Sequence, residues 1–378
     1  MRAVSEIITR RDFIVRGSAV LSALAIPHDL TTPKAAERHL LYVAEPGIRN
    51  YVEWGGIGIL VYDIQDNFRF VRRIPTMRVA DGESPENVKG ICASAVTNRV
   101  YVTTIKRMLC IDLLTDALLW SRAYEGGCDR MAITSDGRTI FLPTLEGPYW
   151  FVIDALTGDE QMRIVRNSGA HNTLCALDGS HAYLAGLRSP LLSVVDTATR
   201  AVAKEVGPFG NVIRPFTIDG SERRCYVNVN DLLGFEIGDI RTGKMLRRVE
   251  VPGFKAGPVK RHGCPSHGIG LTPDENELWL CDGANSHLHV FDLSGSAPRL
   301  THSIAVRDQP GWVTFTLDGR FALPSTGEVI DVRSKRITTM LSDETGRAVQ
   351  SEKLLEIVFS DGRPVRTGDQ FGIGRRRA

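Results

Sequence analysis

Apolar and polar positions alternate along this chain in short bursts, and the bursts repeat. An apolar run closing on Asp recurs as ILVYD (Asp63), LCID (Asp112), FVID (Asp154), SVVD (Asp196), EIGD (Asp239), HVFD (Asp292) and EVID (Asp331), at spacings of 49, 42, 42, 43, 53 and 39 residues. Upstream of most of these lie two more runs joined by a tight polar turn, as in MAITSDGRTIFLP, TLCALDGSHAYLAG and VTFTLDGRFALPS. Asp-Gly between alternating apolar runs signals a β-hairpin. A polar turn and a further alternating run, such as EQMRIV or AVAKEV, follow each Asp.

Each unit therefore predicts four short antiparallel strands, A to D. One such sheet buries too little apolar surface to stand alone, and repeats of this length solve that by stacking around an axis. The predicted fold is all-β, a seven-bladed β-propeller with strand A lining the central channel. The repeat begins with HLLYVAEP, which matches strand B without a preceding A, and ends with KLLEIVFSDGRP, which matches strand A and its turn. The last run is expected to complete the first blade, removing two sheet edges. Asp63, Asp112, Asp154, Asp196, Asp292 and Asp331, at the ends of strand C, are expected to cap the C–D turn rather than do chemistry.

The stretches VVDTATRAVAKEVGPFG and SHGIGLTPDENELWLCDGANSHLHVFDLSG resemble the YVTN-type propeller repeat, within the folds that include quinoprotein amine dehydrogenase-like and lactonase-like propellers. The resemblance covers about residues 37–364. It implies the architecture and leaves the function open, because such propellers carry enzymes, binding modules and scaffolds alike.

The amino terminus reads as a targeting segment. TRRDFIV, Thr9 to Val15, resembles the twin-arginine export motif, and a short apolar stretch ends in Ala23-Leu24-Ala25, a small-x-small cleavage pattern. The expected organisation is a signal peptide over 1–25, a linker over 26–36, the propeller over 37–364 and a C-terminal tail over 365–378. The implied location is periplasmic or extracellular, reached in the folded state. Four arginines against Glu6 and Asp12 in residues 1–25 account for the net charge of +2. The body is neutral and gives no footprint for nucleic acid. No stretch is long and apolar enough to predict a transmembrane span, and a monomer is expected. Arg375-Arg376-Arg377 reads as solvated. Seven scattered cysteines form no CxxC pair; Cys110, Cys175, Cys225 and Cys281 fall in strand-like runs, where they act as small hydrophobes.

In a propeller, the D–A and B–C loops share one rim of the channel, where candidate chemistry belongs. Counting back seven residues from the A–B turn gives Asp129, His171, His267 and Gly311, the last beside Trp312; Arg214 lies close by in the fifth unit. The B–C loops add Lys106, Glu146, Arg188, Asn230, Asp282 and Asn285, and the long first loop adds Arg49, Asn50, Tyr51, Glu53 and Trp54. His262, Cys264 and His267 are ligand types suited to zinc or copper, with His171 as a further ligand across the channel. His287 and His289 share a strand face. There is no nucleophile elbow, P-loop or CxxCH.

The first expectation is a propeller binding a small polar or anionic molecule, or a protein, at this rim through Asp129, Glu146, Arg188, Asn230 and Trp312. The alternative is a metal-dependent hydrolase, lyase or isomerase of lactonase-like type, with a divalent metal and with His171, His267 and Arg214 in the reaction. A quinoprotein-like oxidoreductase ranks third, because the cofactor-stacking Trp and calcium-binding carboxylates do not align.

Overall fold

A computed structural model describes residues 37–80, 82–259 and 262–376. The signal peptide and linker read in residues 1–36 lie outside the described residues. The remainder forms seven antiparallel blades of four strands in a ring. Six blades run in simple sequence order. The seventh is the seam: Leu354–Ser360 pairs with Arg38–Glu45, setting Leu40 opposite Ile357 and Tyr42 opposite Leu355, and Gly58–Asp63 and Arg69–Ile74 follow. We call this blade 1 and number the others along the chain.

Period-2 geometry explains why the B and C strands are apolar throughout rather than amphipathic. Successive side chains point to opposite faces, and both faces of a blade are covered by neighbours. Leu40, Tyr42 and Ala44 pack toward blade 2, while Leu41 and Val43 pack toward blade 7. Seven apolar clusters fill the seven interfaces between blades. Each fully buried aliphatic or aromatic side chain contributes roughly 1.5–3 kcal/mol, and a lone blade would leave one set of them in water. The outer D strands read differently, as in the largely exposed Ala201–Val206. All seven cysteines are buried and unpaired.

The aspartates closing strand C do cap turns. Asp112 Oδ1 accepts from the backbone N–H groups of Leu114 and Thr115, and Asp154 and Asp331 repeat the device. The A–B turns have their own version, in which Thr134 and Thr272 donate to Asp136 and Asp274.

The closing segment departs from the expected tail. Arg363–Thr367 adds a fifth strand inside Leu354–Ser360, and residues 368–376 then cross the A–B rim of the channel. Phe371 and Ile373 join the apolar cluster of blades 4 and 5. Gly372 O accepts from Leu271 N–H at 2.8 Å and from Thr217 Oγ1, and Gly374 N–H donates to Ile218 O at 3.0 Å. Gly372 has φ near +59° and lies so close to Gly270 that a Cβ would sit 2.8 Å from its Cα. Arg375 pairs with Asp369 at 2.9 Å, whereas Arg376 is exposed and bonds Asn276. The segment carries no repeat pattern of its own because its partners are the inner edges of blades rather than a strand of the repeat.

Candidate functional site

The opposite rim is built from the starts of the innermost strands. Lys89 and His171 each occupy a β-bulge at the beginning of their strand, and Arg214 lies in the corresponding bulge of blade 5. A bulge leaves one residue out of the ladder and re-aims its side chain. Three blades thus use the same backbone irregularity where a functional group is presented.

Two linked clusters result. In the first, Asp129 is fully buried; His171 Nδ1–H donates to its Oδ2 at 2.6 Å and Lys89 Nζ stands 3.2 Å from its Oδ1. Burial alone would raise the Asp129 carboxyl, but His171, Lys89 and the His171 hydrogen bond outweigh it and hold the group at about 2. Burial lowers His171 below the usual histidine value, against the opposing pull of Asp129.

The second cluster centres on Glu352. Its Oε2 accepts from Arg130 Nη2 at 3.0 Å and Lys353 Nζ at 2.9 Å, and its Oε1 faces His262 Nε2 at 3.2 Å. Lys353 also donates to Gly47 O at 2.6 Å. The His262 ring stacks on His267 with centroids 4.2 Å apart and planes 12° apart. His267 donates its Nδ1 hydrogen to Gly311 O at 3.0 Å, which leaves Nε2 as the lone-pair nitrogen. A Cβ on Gly311 would lie 2.1 Å from His262 Nε2 and 2.7 Å from Glu352 Oε1, so any larger residue would push these two side chains aside.

Arg130 joins the two clusters. It follows Asp129 in sequence, donates to Lys89 O at 3.2 Å, and lies 3.5 Å above the Trp312 ring. Trp312 is buried, and its Nε1–H donates to Gln370 O of the closing segment, so it forms the wall between the two rims. Burial would raise the Glu352 carboxyl, but Lys353, His262 and Arg130 hold it well below the usual range. Burial depresses Lys353 to about 8 and, with help from the His262 charge, depresses His267 strongly. Arg130 Nη1 is buried and donates to no acceptor among the described residues.

The sequence-derived residues are distributed as follows. Asp129, His171, His267 and Trp312 lie in or against these clusters. His171 and His267 belong to different groups, and the imidazole that meets His267 is His262. Cys264 is not part of the group of potential ligand atoms; its thiol donates to Ser266 O and burial raises it to about 12. Arg214 donates to Asn230 Oδ1 at 2.7 Å and packs against Gly263. Glu146 and Arg188 are exposed and bonded to each other, Arg188 to the Glu146 carbonyl, and Lys106 is exposed. Tyr51 and Trp54 meet edge to face at 5.5 Å. His289 is fully buried between Asp282 and Ser303, a structural role.

Lys89, Arg130, Glu352 and Lys353 are not evident from the repeat. Blade 2 has Thr97-Asn98 where the other blades have an Asp that opens the turn, so Lys89 has no turn to count from. Counting seven back from Asp361 in the seam reaches Leu354, one residue past Lys353.

A cavity of about 400 Å3 lies beside the closing segment against the inner strands of blades 2 to 4, and none of the clustered charges lines it. Its lining is mostly Ala, Val, Leu, Ile, Ser and Thr, and its Asp369 and Arg375 are spent on each other. No known protein-family profile matches the chain, and no curated protein matches it.

Proposed function

We propose that this protein is an exported YVTN-type propeller that binds a small anionic molecule at the charged rim. The observation that carries this reading is Arg130 Nη1, a buried guanidinium donor without an acceptor among the described residues. Leaving such a donor unsatisfied costs about 1–3 kcal/mol, more where the group is charged, and a bound carboxylate or phosphate oxygen would recover it. Charge supports the same occupant. Lys89, Arg130 and Lys353 converge on only two carboxylates, Asp129 and Glu352. Among these side chains three cations face two anions, an excess of one positive charge. Export is supported by the TRRDFIV motif and the Ala-Leu-Ala pattern that follows it.

The test is thermal unfolding against a panel of small carboxylates, phosphate and sulfate. An occupant present at a hundred times its Kd stabilises the fold by about 2.7 kcal/mol, which should raise the melting temperature of the wild-type protein and leave Arg130→Gln unmoved. A panel without any shift, or an equal shift in the variant, overturns the reading. Replacing Arg10 and Arg11 by lysine should trap the chain in the cytoplasm; unchanged export would remove the twin-arginine assignment.

A further inference from the structure

We propose that His262, His267 and Glu352 form a binding site for one divalent transition metal of the zinc, cobalt or iron(II) class, with open coordination positions at the charged rim. The three residues come from the loop before blade 6 and the start of the seam strand, and their ligand atoms all lie within 4.8 Å of one another. A metal about 2.0–2.2 Å from each of three ligands holds those atoms roughly 3–3.5 Å apart. His262 Nε2 and Glu352 Oε1 already stand at 3.2 Å. Closing the rest of the triangle requires the His262 ring to turn out of its parallel stack on His267, because the in-plane lone pairs of parallel rings cannot meet on one ion.

Two of the three ligands are oriented from behind. Gly311 O takes the Nδ1 hydrogen of His267, so Nε2 is the nitrogen left for a metal. Arg130 and Lys353 occupy Oε2 of Glu352, which leaves Oε1 as the coordinating oxygen. Partners of this kind fix the tautomer and direction of metal ligands. Two imidazoles and one carboxylate suit zinc and iron(II), and a three-residue set leaves room for water or an exogenous ligand.

The surrounding charges say what the fourth ligand should be. Arg130 and Lys353 offset much of the carboxylate's attraction for a bare dication. A metal that carries an anion relieves that opposition, and Arg130 Nη1 is the donor beside it. The metal site goes beyond the anion-binding reading and does not require it.

The experiment uses the full mature chain, stripped with chelator and titrated with Co2+ and with Zn2+ in chloride buffer free of other anions. Bound metal is read by elemental analysis after desalting, and geometry by the visible absorption of Co2+. The expected result is about one equivalent bound, with affinity falling at least about tenfold in His262→Ala and further in the His262→Ala/His267→Ala pair. Circular dichroism verifies that the variants are folded. Anion-induced thermal shifts read on the chelator-stripped chain, apart from metal uptake in chloride buffer, separate failure of one reading from failure of the other, since Arg130→Gln removes the anion donor and also a partner of Glu352. A folded wild-type chain that retains no Co2+ or Zn2+ overturns the proposal, as does a folded double variant that binds as the wild type does.

Discussion

The two rims of the channel are made from the two ends of the same innermost strands, yet they follow opposite rules. At the A–B rim the turns are regular and the closing segment supplies Phe371, Ile373 and backbone hydrogen bonds to blades 5 and 6. At the other rim the strands begin with bulges, and buried Asp129, Arg130, Glu352 and Lys353 stand where apolar side chains would be more stable. Trp312 separates them, with Arg130 on its ring and Gln370 on its Nε1. The contrast shows where this fold gains stability and where it gives some up. Local rules are broken at the rim proposed to bind, and kept at the rim that the closing segment crosses.

Removing the closing segment should have the largest effect. A chain ending at residue 367 loses Phe371 and Ile373 from their cluster, a loss of about 5 kcal/mol or more by the cost of such core truncations. Urea denaturation should show a large fall in midpoint; an unchanged midpoint would mean that the segment contributes nothing. Breaking the other rim comes next. Glu352→Ala leaves Arg130 and Lys353 buried against no carboxylate, and losing one partner of such a group costs about 3–5 kcal/mol. A second substitution, Lys353→Met, should recover part of that loss by removing one stranded charge.

Acid should also discriminate between the rims. Asp129 is held at about 2 in the fold, below the ordinary aspartate value. Its contribution is therefore fully present above about pH 4 and is lost as pH falls toward 2. Denaturation midpoints measured across that window should drop, and Asp129→Asn should flatten the drop; a variant with the wild-type acid profile would contradict the assignment. The smallest effect belongs to the repeated turn. Asp154→Ala removes two hydrogen bonds to Leu156 and Thr157, worth about 1 kcal/mol or slightly more, because the turn stays open to water. A loss as large as that of Glu352→Ala would show that these caps do more than close a turn.

Much of the architecture was legible from residue order alone. Alternation, Asp-Gly turns and the recurring Asp specify seven units, and the mismatch between the first and last runs specifies the seam. These are local signals, written within each hairpin. His267 and Asp129 were also legible, because their distance from a turn places them at the start of a channel strand. Lys89 and Glu352 were not, since their blades lack that marker or shift it. The pairing of Arg130 with Glu352 spans 222 residues, a contact that exists only because the ring closes. The same holds for the closing segment, whose partners are strand edges of distant blades. What the chain determined by itself is the repeat, because turn chemistry and two-residue periodicity act over a few residues. What only the tertiary structure decided is which charges share the axis and which end of the channel the closing segment crosses, because both depend on bringing the inner edges of seven separate sheets to one place.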